Sequence, residues 1–470
     1  MLVGFIVLYL AVSLGIGLYA ATRVRGAADY AVAGKRFSTP VATATVFATW
    51  FGAETVLGIP ATFMKEGLRG LVADPFAAVA CLVLVGLVFA RPLYRLNLIT
   101  LGDYFRARYD RRAEVVLSLC IAFSYLGWIA AQLVALGLVF SVLSGGAIDT
   151  PTGIVIGAAI VLVYTAAGGM WSVALTDFFQ AVVIVAGLAY VAWIVADAAG
   201  GTARVIDAAA GGDRFRLLPE PEARPILAWV NAALIVALGS VPQQDVLQRV
   251  MSAKDEKTAV RASIAGALLY FAIAAIPIFL VAAAALIDVP MVERLIGEDY
   301  QRILPTLILE RMPLAVQVLF FGALVSAILS TAGGALLAPA VALAENVIRP
   351  LAAPRDDAAF LRLMRLTVAG LAVAVTAMAL TSKLSIYQLV NESGKVVLVS
   401  SFVPLAAGLF WPRATARGAH WSIAAGLATW IALEAALPEG LVPPALAGLA
   451  AAILGMAAGS LATFRRPKAA

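Results

Sequence analysis

The sequence predicts an all-α polytopic membrane protein with about thirteen transmembrane helices, and three observations carry that prediction. Of its 470 residues, 62% are hydrophobic and 13% charged, against roughly 45–50% and 25% in a soluble domain. The apolar residues fall in runs that reach the about 20 residues needed to cross a bilayer as a helix. Lysine and arginine are dense in every second loop and sparse in the others, as expected when cytoplasmic loops retain cations.

The runs follow in order. The first, 2–22, starts at the chain's beginning without a basic leader or a small-residue cleavage site, and reads as a retained span. The second, 38–64, ends at Lys65 and Arg69, and the third, 72–91, gives way to the arginine-rich stretch 91–112. Runs 113–144, 151–168 and 171–198 come next, the last two separated by Gly168-Gly169. A mixed-charge loop leads to 225–248, after which Arg249, Lys254, Lys257 and Arg261 mark a basic loop before 260–287. A second mixed loop, 288–311, leads to 312–344, and runs 362–382, 386–410, 419–437 and 441–463 complete the set before a short basic tail.

Sorted by alternate loops, 23 of the 34 basic residues fall on one side and ten on the other, with Lys395 left inside a span. An odd number of spans then places the N-terminus outside and the C-terminus in the cytoplasm, in a bacterial-type inner (plasma) membrane. The net charge of +6 is therefore a topology signal. Nucleic-acid binding would need a folded basic patch with aromatic platforms, and the loops are too short to build one. One histidine, His420, and two cysteines, Cys81 and Cys120, exclude His/Cys metal sites, a disulfide framework and a histidine-based triad. An enzyme is not expected.

Two spans carry helix breakers next to a carboxylate at mid-membrane depth. The second contains Trp50-Phe51-Gly52-Ala53-Glu54 and Gly58-Ile59-Pro60; the seventh contains Gly239-Ser240-Val241-Pro242-Gln243-Gln244-Asp245. They are the first and sixth of a ten-helix stretch, so they hold matching positions in two five-helix halves. Matched interrupted helices point to an inverted-repeat secondary transporter, in which freed carbonyls and half-helix ends line the site. The alternative is a pair of ordinary Gly/Pro kinks. Residues facing the break, and so candidates for solute contact, are Trp50, Glu54, Thr55, Asp74, Trp128, Gln132, Gln243, Gln244 and Asp245. Asp177 is also a carboxylate inside a span, by default a functional residue, with a hydrogen bond to Thr176 or another helix as its structural alternative. Glu392 and Lys395, spaced i, i+3, can pair on one helix face; otherwise Lys395 can receive a substrate carboxylate.

Tyr164-Thr165-Ala166-Ala167-Gly168-Gly169-Met170-Trp171-Ser172, followed by Thr176-Asp177-Phe178-Phe179-Gln180, resembles the signature of the sodium:solute symporter family. Gln248-Arg249-Val250-Met251-Ser252-Ala253-Lys254 and Ser326-Ala327-Ile328-Leu329-Ser330-Thr331 are similar to its sixth-helix loop and eighth core helix. The resemblance covers roughly residues 1–412. It implies a LeuT-type 5+5 inverted repeat with flanking helices: a first flanking helix and loop over 1–37, repeats over 38–198 and 225–410, and two further flanking helices and the tail over 411–470. It also implies a sodium site made by the carbonyls of Ala48, Phe51 and Ala327 and the hydroxyls of Ser330 and Thr331, with Asp177 in sodium binding or release. Some members hold a second sodium on hydroxyls further along the eighth core helix, where this sequence has Gly333 and Gly334, so one Na+ is expected.

Within the family, Ala48-Thr49-Trp50, the Gly-x-x-Pro at 239–242 and Thr376-Ala377-Met378-Ala379-Leu380 most resemble high-affinity choline transporters. Trp50 and Trp128 are similar to two residues of their cation–π cage. Gln243 stands where that pattern has a tryptophan, and Asp74 falls at a polar position of sugar- and sialic-acid-transporting relatives. The expected function is sodium-coupled uptake of a small organic solute, an amino acid, organic acid or quaternary amine, by alternating access. The alternatives are choline-specific uptake and a transporter-like sensor acting with a separate partner. The expected partners are the solute and the lipid bilayer.

Overall fold

The computed structural model describes residues 1–463; the tail cations Arg465, Arg466 and Lys468 lie outside the described residues. Helix α1 spans Leu2–Ala21. The second span is two pieces, α2 (Thr39–Trp50) and α3 (Ile59–Glu66), the latter entered through a wide turn at Glu54–Gly58. Helix α4 covers residues 72–95 and α5 covers Arg111–Leu143. The helical stretch Thr150–Ala198 has 49 residues, about 73 Å at 1.5 Å per residue, far more than one crossing needs. It divides at Gly169, whose φ of 50° and ψ of −134° only glycine adopts freely. The chain turns back there: a Cβ on Gly17 would lie 2.8 Å from Tyr164 Cβ and 3.6 Å from Thr176 Cγ2, atoms about 18 Å apart along a straight helix. We label its halves α6 (150–168) and α7 (170–198).

The seventh span is also in two pieces, α8 (Ala223–Ala237) and α9 (Gln244–Ser252). Then follow α10 (Glu256–Ile287), α11 (Leu314–Ala342), α12 (Asp357–Thr381), α13 (Ile386–Phe410), α14 (Ala416–Ala436) and α15 (Pro444–Thr463). Among the described residues nine helices are long and apolar enough to cross a membrane. The count reaches thirteen spans once the continuous stretches Glu54–Arg95 and Thr150–Ala198 are each divided in two and the broken α8–α9 and the less apolar α14 are added. Several helices start earlier than their apolar runs. α12 begins at Asp357 rather than 362 because Asp356 caps it by accepting from Ala359 N at 2.7 Å, and a capped polar turn extends a helix beyond its apolar stretch.

Both expected breaks are present. α2 stops at Phe51 (φ −91°, ψ 81°), and a Cβ on Gly52 would meet Glu54 Oε2 at 2.5 Å, Thr331 Oγ1 at 2.9 Å and Gln132 Oε1 at 3.0 Å. Only glycine lets the backbone approach those groups so closely. Between α8 and α9, Pro242 supplies no amide donor, and α9 restarts at Gln243 in extended conformation (φ −86°, ψ 142°).

α11 is the central rod. Every residue from Phe320 to Ala342 is buried, with α2, α5, α6 and α7 packed around it. Large apolar side chains instead point outward on the periphery: Val7 and Leu8 of α1, Val182 and Trp193 of α7, Leu366 and Val373 of α12, Leu454 of α15. Lipid is the solvent for that apolar band, while the polar side chains gather inside. On the basic-loop side, Phe37 N donates to Ser252 O and Lys254 N to Phe37 O, both at 3.0 Å. These bonds join the segment before α2 to the end of α9 and close that side of the centre. On the other side Asp288 caps the helix Val289–Glu298 and pairs with Arg311 at 2.6 Å, which holds its carboxyl below the usual range.

Candidate functional site

The break in α2 faces a central cavity with about 60 Å³ of space open to the centre of a water molecule. Trp50, Glu54, Asp74, Trp128, Ser240 and Gln243 line it, together with Ala78, Ile235, Val236, Val390, Ser393 and Gly394. Glu54 is 4% exposed, and each carboxylate oxygen accepts one hydrogen bond: Oε1 from Trp128 Nε1 at 3.1 Å and Oε2 from Gln132 Nε2 at 2.8 Å. Trp128 and Gln132, four apart on α5, share one face of that helix. Gln132 Oε1 in turn accepts from Ala53 N at 2.9 Å, satisfying an amide that the break would otherwise orphan. Asp74 sits in an extended kink at the start of α4 (φ −143°, ψ 123°) and accepts from the Tyr270 hydroxyl. Among the described residues no lysine or arginine lines the cavity.

Directly behind the break lies the second constellation. Thr331 Oγ1 donates to Ala48 O at 3.3 Å, tying α11 to the last turn of α2. Ser330 Oγ donates to Asp177 Oδ1 at 2.6 Å, tying α11 to α7. Ala48, Phe51, Ala327, Ser330, Thr331 and Asp177 are all buried, and among the described residues Asp177 Oδ2 has no hydrogen-bond partner. Ala327 precedes Thr331 by one helical turn on the same face. Hydroxyls, a neighbouring carboxylate and carbonyls at a helix break are hard oxygen donors, the set an alkali cation takes up; a transition metal would want nitrogen or sulfur.

The model of the sodium:solute symporter family matches residues 30–426. The chain belongs to the sodium:solute symporter family. It is 29% identical over 413 residues to the high-affinity choline transporter 1 of Caenorhabditis elegans, covering 84% of this chain and 69% of that one. It is 26% identical over 446 residues to the sodium/sialic acid symporter NanT of Aliivibrio fischeri, covering 90% and 86%. A solved structure of a Na+-coupled sialic acid symporter, in a substrate-bound outward-open state, aligns with a TM-score of 0.85 at 20% identity over 100% of this chain and 99% of that one. The fold is thus the LeuT-type inverted repeat with flanking helices, in a multi-pass membrane protein. This symporter uses sodium to import a small solute, and it is a transporter rather than an enzyme.

The symporter does not bring every expected residue to the cavity. Thr55 hydrogen-bonds Tyr270 at 3.1 Å, behind Asp74. Gln244 clamps α9 to the segment before the helix Leu101–Arg108, accepting from Leu101 N at 2.9 Å and donating to Ile99 O at 3.0 Å. Asp245 accepts from the Tyr125 hydroxyl, beneath the ring that stacks on Trp128 at 5.9 Å between centroids. Lys395 lies 3.4 Å from Glu434 Oε1, in a separate polar cavity shared with Arg224, Asn231 and Glu439. The side chain of Glu392, its expected partner, lies outside the described residues. Arg249 is not a loop residue: α9 runs on to Ser252 and leaves the side chain only 4% exposed. The sequence reading missed Tyr270 and Tyr125. A tyrosine in the middle of an apolar span was the available signal, since a buried phenol needs a hydrogen-bond partner.

Proposed function

We propose that this symporter imports a small organic cation, an amine or quaternary ammonium, with one Na+ per solute. The observation that carries the reading is the charge of the cavity: Glu54 and Asp74 face it with two indoles, and no basic side chain lines it among the described residues. Indole faces and a carboxylate attract an ammonium group whether or not it can donate a hydrogen bond. The name of the C. elegans relative, a choline transporter, supports the same class. A solute carboxylate would have Lys395 as its partner, and that ammonium sits beside Glu434 instead.

The Na+ is held by the carbonyls of Ala48, Phe51 and Ala327 and the hydroxyls of Ser330 and Thr331, with Asp177 adjoining through Ser330. The space further along α11 supports single occupancy. A Cβ on Gly333 would lie 2.5 Å from the Tyr164 hydroxyl, and one on Gly334 would lie 2.4 Å from Arg249 Nη2. A phenol and a guanidinium fill the ground where a second ion would sit, and the guanidinium repels it. Coupling arises because residues 48–54 serve both sites. Sodium bridging α2 to α11 fixes the broken segment that carries Trp50 and Glu54, so ion and solute each tighten the other's binding. Repeats over 38–198 and 225–410 then rock about the break, and opening to the cytoplasm requires loss of the two Phe37 bonds. The orientation is N-terminus outside and C-terminus inside, in a bacterial-type plasma membrane.

A thermal-shift screen of the purified protein tests the solute class. In sodium, choline, other quaternary ammonium compounds and small amines are expected to raise the melting temperature, and the shift disappears when potassium replaces sodium. A shift given only by sugars or carboxylates would refute it.

A further inference from the structure

Arg249 is a buried cation that neither site described above employs. Its Nη2 donates to Thr49 Oγ1 at 2.6 Å and its Nη1 donates to Asp245 O at 3.4 Å, while among the described residues Nε has no partner. Both of these partners are uncharged, a backbone carbonyl and a hydroxyl. Thr49 is held in one orientation for this bond, since its own hydroxyl donates to Thr45 O at 2.7 Å.

The surroundings locate the guanidinium. Thr49 adjoins Ala48, whose carbonyl receives Thr331. Gly334, against which Nη2 packs, lies one turn beyond Ser330 on α11, in the direction of the loop bearing Arg349 and Arg355. α9 runs from mid-membrane at Gln244 to the basic face at Ser252. The guanidinium therefore stands between α2 and α11, immediately on the basic-loop side of the sodium constellation. An ion leaving that way meets a fixed positive charge in a medium of low dielectric. The unpartnered Asp177 Oδ2 is the nearby acceptor that could take the guanidinium once the ion has gone.

We propose that Arg249 is the gate on the cytoplasmic path of the sodium ion: bonded to Thr49 it blocks exit, and by moving to Asp177 it opens the path and replaces the departing charge. The proposal rests on the sodium site read above. It makes Arg249 a positioning residue that enforces coupling, because α9 releases it only when the segment joined to Phe37 moves.

The test is ²²Na+ flux through the reconstituted full-length protein without solute. Arg249→Gln is expected to raise this uncoupled flux about 10-fold or more, each tenfold corresponding to about 1.4 kcal/mol off the barrier. Gly334→Ala keeps the charge but places a methyl group 2.4 Å from Nη2, and is expected to raise the flux in the same direction. Arg249→Lys, a cation too short to span both helices, should restore only part of the block. A merely structural arginine would lower the amount of folded protein without opening a leak. If Arg249→Gln does not fold, Gly334→Ala decides alone by the same criterion. Wild-type flux in the folded variants, with stabilisation by sodium intact, would overturn the gate and leave the sodium site standing. Loss of sodium stabilisation in Ser330→Ala/Thr331→Ala supports that site, and its persistence there would overturn both.

Discussion

Replacing Ser330 and Thr331 together by alanine is expected to raise the sodium concentration for half-maximal uptake by about 10- to 100-fold, taking each lost hydroxyl ligand as worth about 1 kcal/mol. The two hydroxyls are the only side-chain donors in the proposed sodium set. Both come from α11, so their removal also unties that helix from α2, where Thr331 reaches Ala48 O, and from α7, where Ser330 reaches Asp177. The two changes differ in a measurable way. Thr331→Ala removes a proposed ligand and a 3.3 Å contact, whereas Ser330→Ala also deprives Asp177 of the hydrogen bond it accepts from that hydroxyl. A buried carboxylate stripped of donors is costly, so the serine variant should be the less stable of the two by melting temperature. Uptake rate measured against sodium concentration in proteoliposomes checks the prediction. An unchanged half-saturating concentration in the double variant would place the ion elsewhere.

The largest effect on the solute is expected from Glu54→Gln. Removing one partner of a buried charge pair costs about 2–5 kcal/mol, so solute affinity should fall about 30-fold or more. The substitution is nearly isosteric but chemically severe. Glu54 receives two donors, Trp128 Nε1 and Gln132 Nε2. A glutamine keeps one acceptor oxygen and turns an NH2 group toward the other donor. Sodium affinity measured without solute should change little, because none of the proposed sodium ligands comes from Glu54. Equilibrium binding of labelled solute and of ²²Na+ to the purified protein separates the two readouts. A variant that retained wild-type solute affinity would remove Glu54 from the site and with it the argument for a cationic solute.

The sequence announced these features unevenly, for physical reasons. The breaks were legible because glycine and proline punctuate a helix locally, and Gly52 and Pro242 do so in the structure. The Ser330-Thr331 pair was singled out only through the family resemblance, since hydroxyls in an apolar helix ordinarily bond the carbonyls one turn earlier, as Ser400 does with Val396 O. Trp128 and Gln132 were expected separately at the break, and their i, i+4 spacing is what lets both reach Glu54 from one face of α5. The direction a polar residue takes at the end of a broken helix is decided by packing, which local pattern does not carry. Gln244 and Asp245 therefore turn to Leu101 and Tyr125, while the neighbouring Gln243 faces the cavity. Lys395 turns to Glu434 on α14, a helix outside both expected repeats. Arg249 was read with the loop cations because the apolar run ends at Gln248. The helix continues, and the burial of its guanidinium depends on Thr49 and Gly334, residues distant in sequence.

Sodium-driven uptake by the purified protein in liposomes, followed with ²²Na+ and a labelled organic cation such as choline together, tests the central claim most directly. With an inward sodium gradient, the cation should accumulate above its external concentration, enter at one Na+ per solute, and stop accumulating when potassium replaces sodium. Accumulation of neutral or anionic solutes alone, with no uptake of any small organic cation, would contradict the account.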